Sequence, residues 1–166
     1  MQYNRLMEIE RKWLIKAENI PYDLASLPCE EMEQAYITFS PTIRIRRING
    51  GQCNVMTIKT SPLSGDGSLA REEHEFPIPS RDYDALLPLT KGRIIRKKRY
   101  IHELSSGLKE EIDVFCGELE GLAYLEIEFP DVESATAYPD PVWVEKDVTY
   151  LYEYKNASLA QNGMPV

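Results

Sequence analysis

Alternation of apolar and polar positions organises most of this chain. Over residues 6–15, Met7, Ile9 and Arg11 share one face while Glu8, Glu10 and Lys12 share the other, the twofold period of a strand. Comparable runs at 32–39, 42–48, 52–60, 69–76, 93–104, 108–115 and 122–129 bring the expectation to about eight strands. Asn49-Gly50-Gly51 and Ser105-Ser106-Gly107 sit where tight hairpins are needed, the Asn-Gly pair supplying positive φ. Residues 61–68, rich in Ser and Gly, predict a flexible loop. Helical signals are few. Pro21 and Pro28 frame one or two turns over 19–28. Ser80 is expected to cap a short helix at 81–87 that ends at Pro88, and Leu151 and Tyr154 predict a C-terminal helix within 148–159.

The polar faces of these strands carry charge in pairs two residues apart: Glu8/Glu10/Lys12, Arg44/Arg46, Arg71/Glu73/Glu75, Lys97/Arg99, Glu111/Asp113 and Glu126/Glu128. A solvated sheet face has no need of arginines on one strand and carboxylates on another. If the strands close into a barrel with these faces inward, Lys12, Arg44, Arg46, Lys59, Arg71, Lys97 and Arg99 meet several carboxylates in one lumen. Such burial is costly unless the charges pair with one another and with a charged ligand. Guanidinium and ammonium groups suit phosphate oxygens, and clustered carboxylates suit a hard cation such as Mg²⁺ or Mn²⁺. Together they describe a site for a metal-bound polyphosphate. Paired carboxylates alone also fit glycoside hydrolysis, which has no use for so many cations.

Composition narrows the partners. With 166 residues the chain is sized for one domain, and its net charge of −8 argues against attachment to nucleic acid or anionic lipid through overall charge. Cys29, Cys53 and Cys116 lack the spacing of a zinc site and fit a reducing compartment. The opening residues lack the apolar core of a signal peptide, and no apolar run is long enough to span a bilayer. The expectation is a cytoplasmic protein with no membrane or nucleic-acid partner and a small-molecule substrate; a homodimer is compatible with the composition.

The motifs resemble those of the CYTH family of triphosphate tunnel metalloenzymes. Glu8-Ile9-Glu10-Arg11-Lys12 looks like the family's opening ExExK. Gln34-Ala35-Tyr36-Ile37, Arg44-Ile45-Arg46, Thr57-Ile58-Lys59, Arg71 through Glu75, Lys97-Lys98-Arg99, Glu126-Ile127-Glu128 and Asp147-Val148-Thr149 follow in the family's order. The resemblance implies a mainly β, α+β fold: one domain over residues 1–166, an eight-stranded antiparallel closed barrel with short flanking helices and a C-terminal helix. It also implies a metal-dependent triphosphatase, most simply of inorganic tripolyphosphate. Glu8, Glu10 and Glu128 would then hold Mg²⁺ or Mn²⁺, and Glu73 and Glu126 would hold a second metal or orient water. Lys12, Arg44, Arg46, Lys59, Arg71, Lys97 and Arg99 would bind the phosphates. An adenylate cyclase of the same fold and a noncatalytic polyphosphate-binding module are the alternatives.

One segment departs from the family pattern. Leu151 and Glu153 stand where an acid and an arginine are usual, which predicts a C-terminal segment displaced from a more open tunnel. Elsewhere ordinary roles are expected. His74 and His102 read as exterior residues, Trp13 and Trp143 as packing residues, and Arg96 and Lys98 as the outward partners of Lys97 and Arg99.

Overall fold

The computed structural model describes residues 4–60 and 69–165. The alternating runs form β1 (Asn4–Leu14), β2 (Cys29–Phe39), β3 (Thr42–Ile48), β4 (Cys53–Lys59), β5 (Ala70–Pro77), β6 (Lys91–Glu103), β7 (Lys109–Phe115) and β8 (Ala123–Glu128). Their order is β5-β4-β3-β2-β6-β7-β8-β1, and β5 pairs back with β1, so the eight strands close into the expected antiparallel barrel. Closure works because β1 is long enough to serve two neighbours. Its first half pairs with β5, matching Glu8 with Arg71, and its second half pairs with β8, matching Glu10 with Glu128. A two-residue strand, β9 (Lys146–Asp147), adds to β1 beside Trp13.

The barrel is polar within and apolar without. Ile9, Trp13, Ile112, Leu125 and Ile127 lie on the outer face and form a buried cluster under Ala135, Tyr138, Trp143 and Val144. The chain after β8 therefore serves as a cover for an outer surface that water would otherwise meet. Trp13 is fully buried there, its indole donating to Asp140 Oδ1 at 2.8 Å, as its packing role requires. Arg11 reaches from the same face to Asp140 and Asp147, at 2.6 and 2.5 Å. His74 pairs with Glu72 on the outside, and His102 stacks on Tyr22 and contacts Glu110. Arg96 and Lys98 are exposed and face Glu33 and Glu31.

The helices differ from the sequence expectation in detail. Helix α1 (Ser80–Leu86) begins one residue early: Pro79 occupies the cap position, and Ser80 Oγ instead accepts from Asn54 Nδ2 at 3.0 Å. The pattern at 19–28 resolves into two 3₁₀ turns, Ala17–Asn19 and Leu24–Ser26. A short helix α2 (Val132–Ala137), capped by Asp131, has no counterpart in the sequence pattern; its apolar residues are too few to show a period. The C-terminal helix α3 is Asn156–Asn162, not 148–159, where a 3₁₀ turn at Tyr152–Tyr154 precedes it. The loop expected at 61–68 lies outside the described residues. Among the described residues, no helix is long and apolar enough to cross a membrane.

Helix α3 packs over one part of the barrel. Leu159 and Ala160 join Tyr36, Ile95, Phe115 and Tyr124 in a buried cluster. Gly92 makes that approach possible: with φ +73°, it lies so close to α3 that a Cβ would stand 2.5 Å from the Ala160 carbonyl oxygen. The Asn49-Gly50 hairpin turn is confirmed by positive φ at both residues, 49° and 67°.

Candidate active site

A cavity of about 700 Å³ occupies the barrel interior. Every strand except β2 lends it charged side chains by simple alternation: Glu8, Glu10 and Lys12 from β1, Arg44 and Arg46 from β3, Lys59 from β4, Arg71, Glu73 and Glu75 from β5, Glu111 from β7, and Glu126 and Glu128 from β8. Strand β6 adds Arg99 alone, and β2 adds Tyr36 and Phe39. Among the expected ligands only Lys97 is absent from the lining. Its side chain is wholly buried against Asp113, which is equally buried, and the two form an ion pair.

The cations fall into two groups. Lys12 Nζ contacts Glu126 at 2.9 Å, and Lys59 lies 2.8 Å from Glu8 and also pairs with Glu73. Arg99 is held by Asp113, Glu126 and Glu111. Arg44 and Arg46 have no such partner among the described residues. Arg44 is buried with Nε making no hydrogen bond, and Arg46 Nε donates to the neutral Gln34 Oε1 at 3.2 Å. Burial, with the charges of Arg44 and Arg99 added, lowers the Arg46 pKa to about 10. A guanidinium desolvated without a counterion is unfavourable unless an anion arrives to satisfy it.

The carboxylates also divide. Burial works against ionisation of Glu126, but Lys12, Arg99 and Lys97 outweigh it and hold its carboxyl well below the usual range. Burial likewise opposes ionisation of Glu8, and Lys59 together with a hydrogen bond from Glu73 brings it down to about 2. Glu73 is pushed up by its own burial and by the Glu8 charge. Burial and the charges of Glu126 and Glu8 raise Glu10 to about 8. Glu128 is raised by burial, Glu8 and Glu75. The lumen thus sets two acids raised toward protonation, Glu10 and Glu128, the first only 3.9 Å from Lys12, against two guanidiniums with no carboxylate within ion-pair distance, Arg44 and Arg46.

Comparison with known proteins assigns this arrangement. The CYTH domain model matches residues 6–161, almost the whole chain and every lining strand. The chain belongs to the CYTH domain family. Within the triphosphate tunnel metalloenzyme superfamily it is similar to an inorganic triphosphatase of Nitrosomonas europaea, 35% identical over 157 residues that make up 93% of this chain and 97% of that protein. An inorganic triphosphatase of Acetivibrio thermocellus is 33% identical over 132 residues, 78% of this chain and 79% of the relative. Among solved structures, the crystal structure of an inorganic triphosphatase superposes with a TM-score of 0.65 at 32% identity, covering 93% of this chain and 95% of that one.

The CYTH resemblance also implies a metal, and the donor chemistry here fits one. Glu8, Glu10 and Glu128 offer hard oxygens, and the burial and the Glu8 charge that help to raise both Glu10 and Glu128 are of the kind a divalent cation offsets. As the side chains stand, no three acidic, Cys or His groups among the described residues are gathered to ligating distance, with Glu8 drawn instead to Lys59.

Several residues line the cavity without a role that the sequence pattern assigns them. Glu75 and Glu111 are legible as members of strand pairs but not as lining residues of this lumen. The C-terminal segment, expected to leave the tunnel, stays on it. Val148 N donates to the Lys12 carbonyl at 2.9 Å, and Thr149, Tyr150, Tyr152 and Lys155 all line the cavity, while Glu153 is exposed. No periodicity in 148–155 could have shown which of these side chains turns inward, because a 3₁₀ turn interrupts the segment.

Proposed function

We propose that this CYTH protein is a divalent-metal-dependent triphosphatase acting on inorganic tripolyphosphate within its barrel. The observation that carries the reading is the pair Arg44, buried, and Arg46, part-buried, facing one lumen with no carboxylate within ion-pair distance among the described residues. Its kinship with two inorganic triphosphatases at 35% and 33% identity supports the same substrate.

The roles follow from the pairing. Arg44 and Arg46 bind the phosphate chain in the ground state, with Arg71 available from β5. Lys12 and Lys59, held by Glu126 and by Glu8 and Glu73, present ammonium groups at fixed positions where charge builds on the departing pyrophosphate. Mg²⁺ or Mn²⁺ held by Glu8, Glu10 and Glu128 would neutralise charge on the transferring phosphoryl group. Water attacks the terminal phosphorus, the bridging P–O bond breaks, and the proton lost by the water needs an acceptor. Of the two acids assigned to catalysis, Glu73 is the better acceptor, because its raised pKa makes it the stronger base once ionised. Glu126 is a poor base for the opposite reason, and its work is to fix Lys12 and Arg99.

The test is phosphate release from tripolyphosphate and from ATP with Mg²⁺ or Mn²⁺, with cyclic AMP measured alongside. Release of phosphate from tripolyphosphate is expected. Binding of tripolyphosphate without release would select the noncatalytic module, and cyclic AMP from ATP would select the cyclase.

A further inference from the structure

We infer that Lys155 is a substrate-binding residue of this tunnel, a cation that the C-terminal segment carries to the lumen to contact the phosphate chain. The inference rests on the triphosphate reading above and extends it to a residue that no sequence motif marks.

Lys155 follows the 3₁₀ turn Tyr152–Tyr154 and precedes α3. Its side chain lines the cavity on the side where Tyr150 and Tyr152, both largely exposed, also border it. From there it is within electrostatic reach of Arg71 on β5, Lys12 on β1 and Lys59 on β4. Among the described residues no carboxylate lies within ion-pair distance of it. The acids beside its cationic neighbours are already committed, Glu126 to Lys12 and Arg99, and Glu8 and Glu73 to Lys59. On its other sides the charges are turned elsewhere: Arg93 of β6 pairs with Glu118, and Lys146 of β9 sits over the Tyr154 ring. Burial first, and then repulsion by Arg71, Lys12 and Lys59, lowers the Lys155 pKa to about 8.

A half-buried lysine within electrostatic reach of three cations is unfavourable in the empty protein. What compensates the inward position is a polyanion reaching that end of the lumen, since phosphate oxygens reverse the sign of every neighbouring interaction. The same argument explains how the segment can lack a cation at 153 and still close on the tunnel, because 155 supplies one.

The linkage gives a readout that a structural lysine would not. Near pH 8 the free protein holds Lys155 about half protonated, and a bound polyanion restores the proton, which must come from the buffer. The probe is imidotriphosphate with Mg²⁺, a tripolyphosphate analogue in which nitrogen bridges resist hydrolysis, titrated calorimetrically at pH 8 in two buffers of different ionisation enthalpy. The wild-type protein is expected to take up more protons on binding than Lys155→Met does, since the protons that Mg²⁺ displaces from Glu10 are released by both. Lys155→Met is expected to bind about tenfold or more weakly with that uptake reduced, and Lys155→Arg to keep the affinity but lose the uptake. Lys155→Met should fold at least as stably as the wild type in the absence of ligand, since it removes a repelled charge, and thermal melts check this. Equal affinity and equal uptake in wild type and Lys155→Met would overturn the inference while leaving the triphosphate reading intact. No binding of imidotriphosphate by the wild type would overturn both.

Discussion

The guanidinium of Arg99 grips Asp113 through two parallel hydrogen bonds, Nε to Oδ1 and Nη2 to Oδ2, each 2.7 Å. Asp113 also holds Lys97, and both of those side chains are wholly buried. Two cations therefore depend on one acid, and Lys97 already shows the strain of burial and of the Arg99 charge in a pKa lowered to about 8. Asp113→Asn should destabilise the protein by about 3–5 kcal/mol, the usual cost of leaving a buried charge unpaired. Urea denaturation measures it, and a loss below about 1 kcal/mol would show that Lys97 and Arg99 find other partners.

Arg44 and Arg46 should behave in the opposite sense. Neither has a carboxylate within ion-pair distance, so Arg46→Ala is expected to leave stability near the wild-type value, while Arg44→Ala loses only the longer-range attraction to Glu8, Glu73 and Glu75. Each removes a charge-assisted bond to phosphate worth about 1.5–3 kcal/mol, so tripolyphosphate affinity should fall roughly 10- to 100-fold. Turnover should fall with it. Wild-type affinity in either variant would remove that arginine from the site.

The contrast between Arg99 and Arg46 also marks how far the sequence can be read. Twofold spacing sends both side chains to the inner face, and that much of the barrel is legible, because alternation is a local property of each strand. Whether a lumen cation is paired or free is decided across strands. Lys97 meets Asp113 only because β6 and β7 are in register, with Arg99 opposite Asp113, and this pairing withdraws Lys97 from the cavity. Strand order, the closure of β5 on β1 and the inward turn of Lys155 are likewise products of tertiary packing. The motif order of the family carries the barrel and most of its lining residues; it carries nothing about Lys155, whose position depends on a 3₁₀ turn without a sequence period.

Glu10 gives the protein a pH signature. Its folded pKa of about 8 stands above the 4.5 of an unfolded glutamate, so between those values the folded state holds a proton that the unfolded state has lost. Stability from this group is complete below pH 4.5 and is lost as pH rises toward 8. In metal-free buffer, Glu10→Gln should flatten that decline by something on the order of 1–3 kcal/mol at pH 8. Mg²⁺ should raise the melting temperature of the wild type at that pH and have little effect on Glu10→Gln. A decline of equal slope in both proteins would place the titration elsewhere in the lumen.

Activity should require the cation itself. Excess chelator is expected to abolish phosphate release, and Glu8→Ala, Glu10→Ala and Glu128→Ala should each abolish it at saturating Mg²⁺ with the fold intact by circular dichroism. Undiminished turnover in chelator would remove the metal from the proposed mechanism.

Glu153→Arg distinguishes a displaced C-terminal segment from the one observed. The segment stays on the barrel: Val148 is bonded to the Lys12 carbonyl, and Thr149 Oγ1 accepts from Lys12 N at 3.0 Å. Position 153 nevertheless points to solvent from the 3₁₀ turn, and Lys155 takes the inward place. An arginine at 153 would then add a cation on the outside of the mouth, in high dielectric and screened by salt. Its attraction for tripolyphosphate should be below about 1 kcal/mol, less than about fivefold in affinity, and should vanish at high ionic strength. If the segment instead rolled so that residue 153 entered the lumen, the new guanidinium would be desolvated beside phosphate and the gain would exceed tenfold and survive salt. The double variant Glu153→Arg/Lys155→Met sharpens the choice. Affinity as low as that of Lys155→Met alone means that position 153 cannot substitute for 155, as the exposed Glu153 requires, whereas full recovery would show that either residue can turn inward.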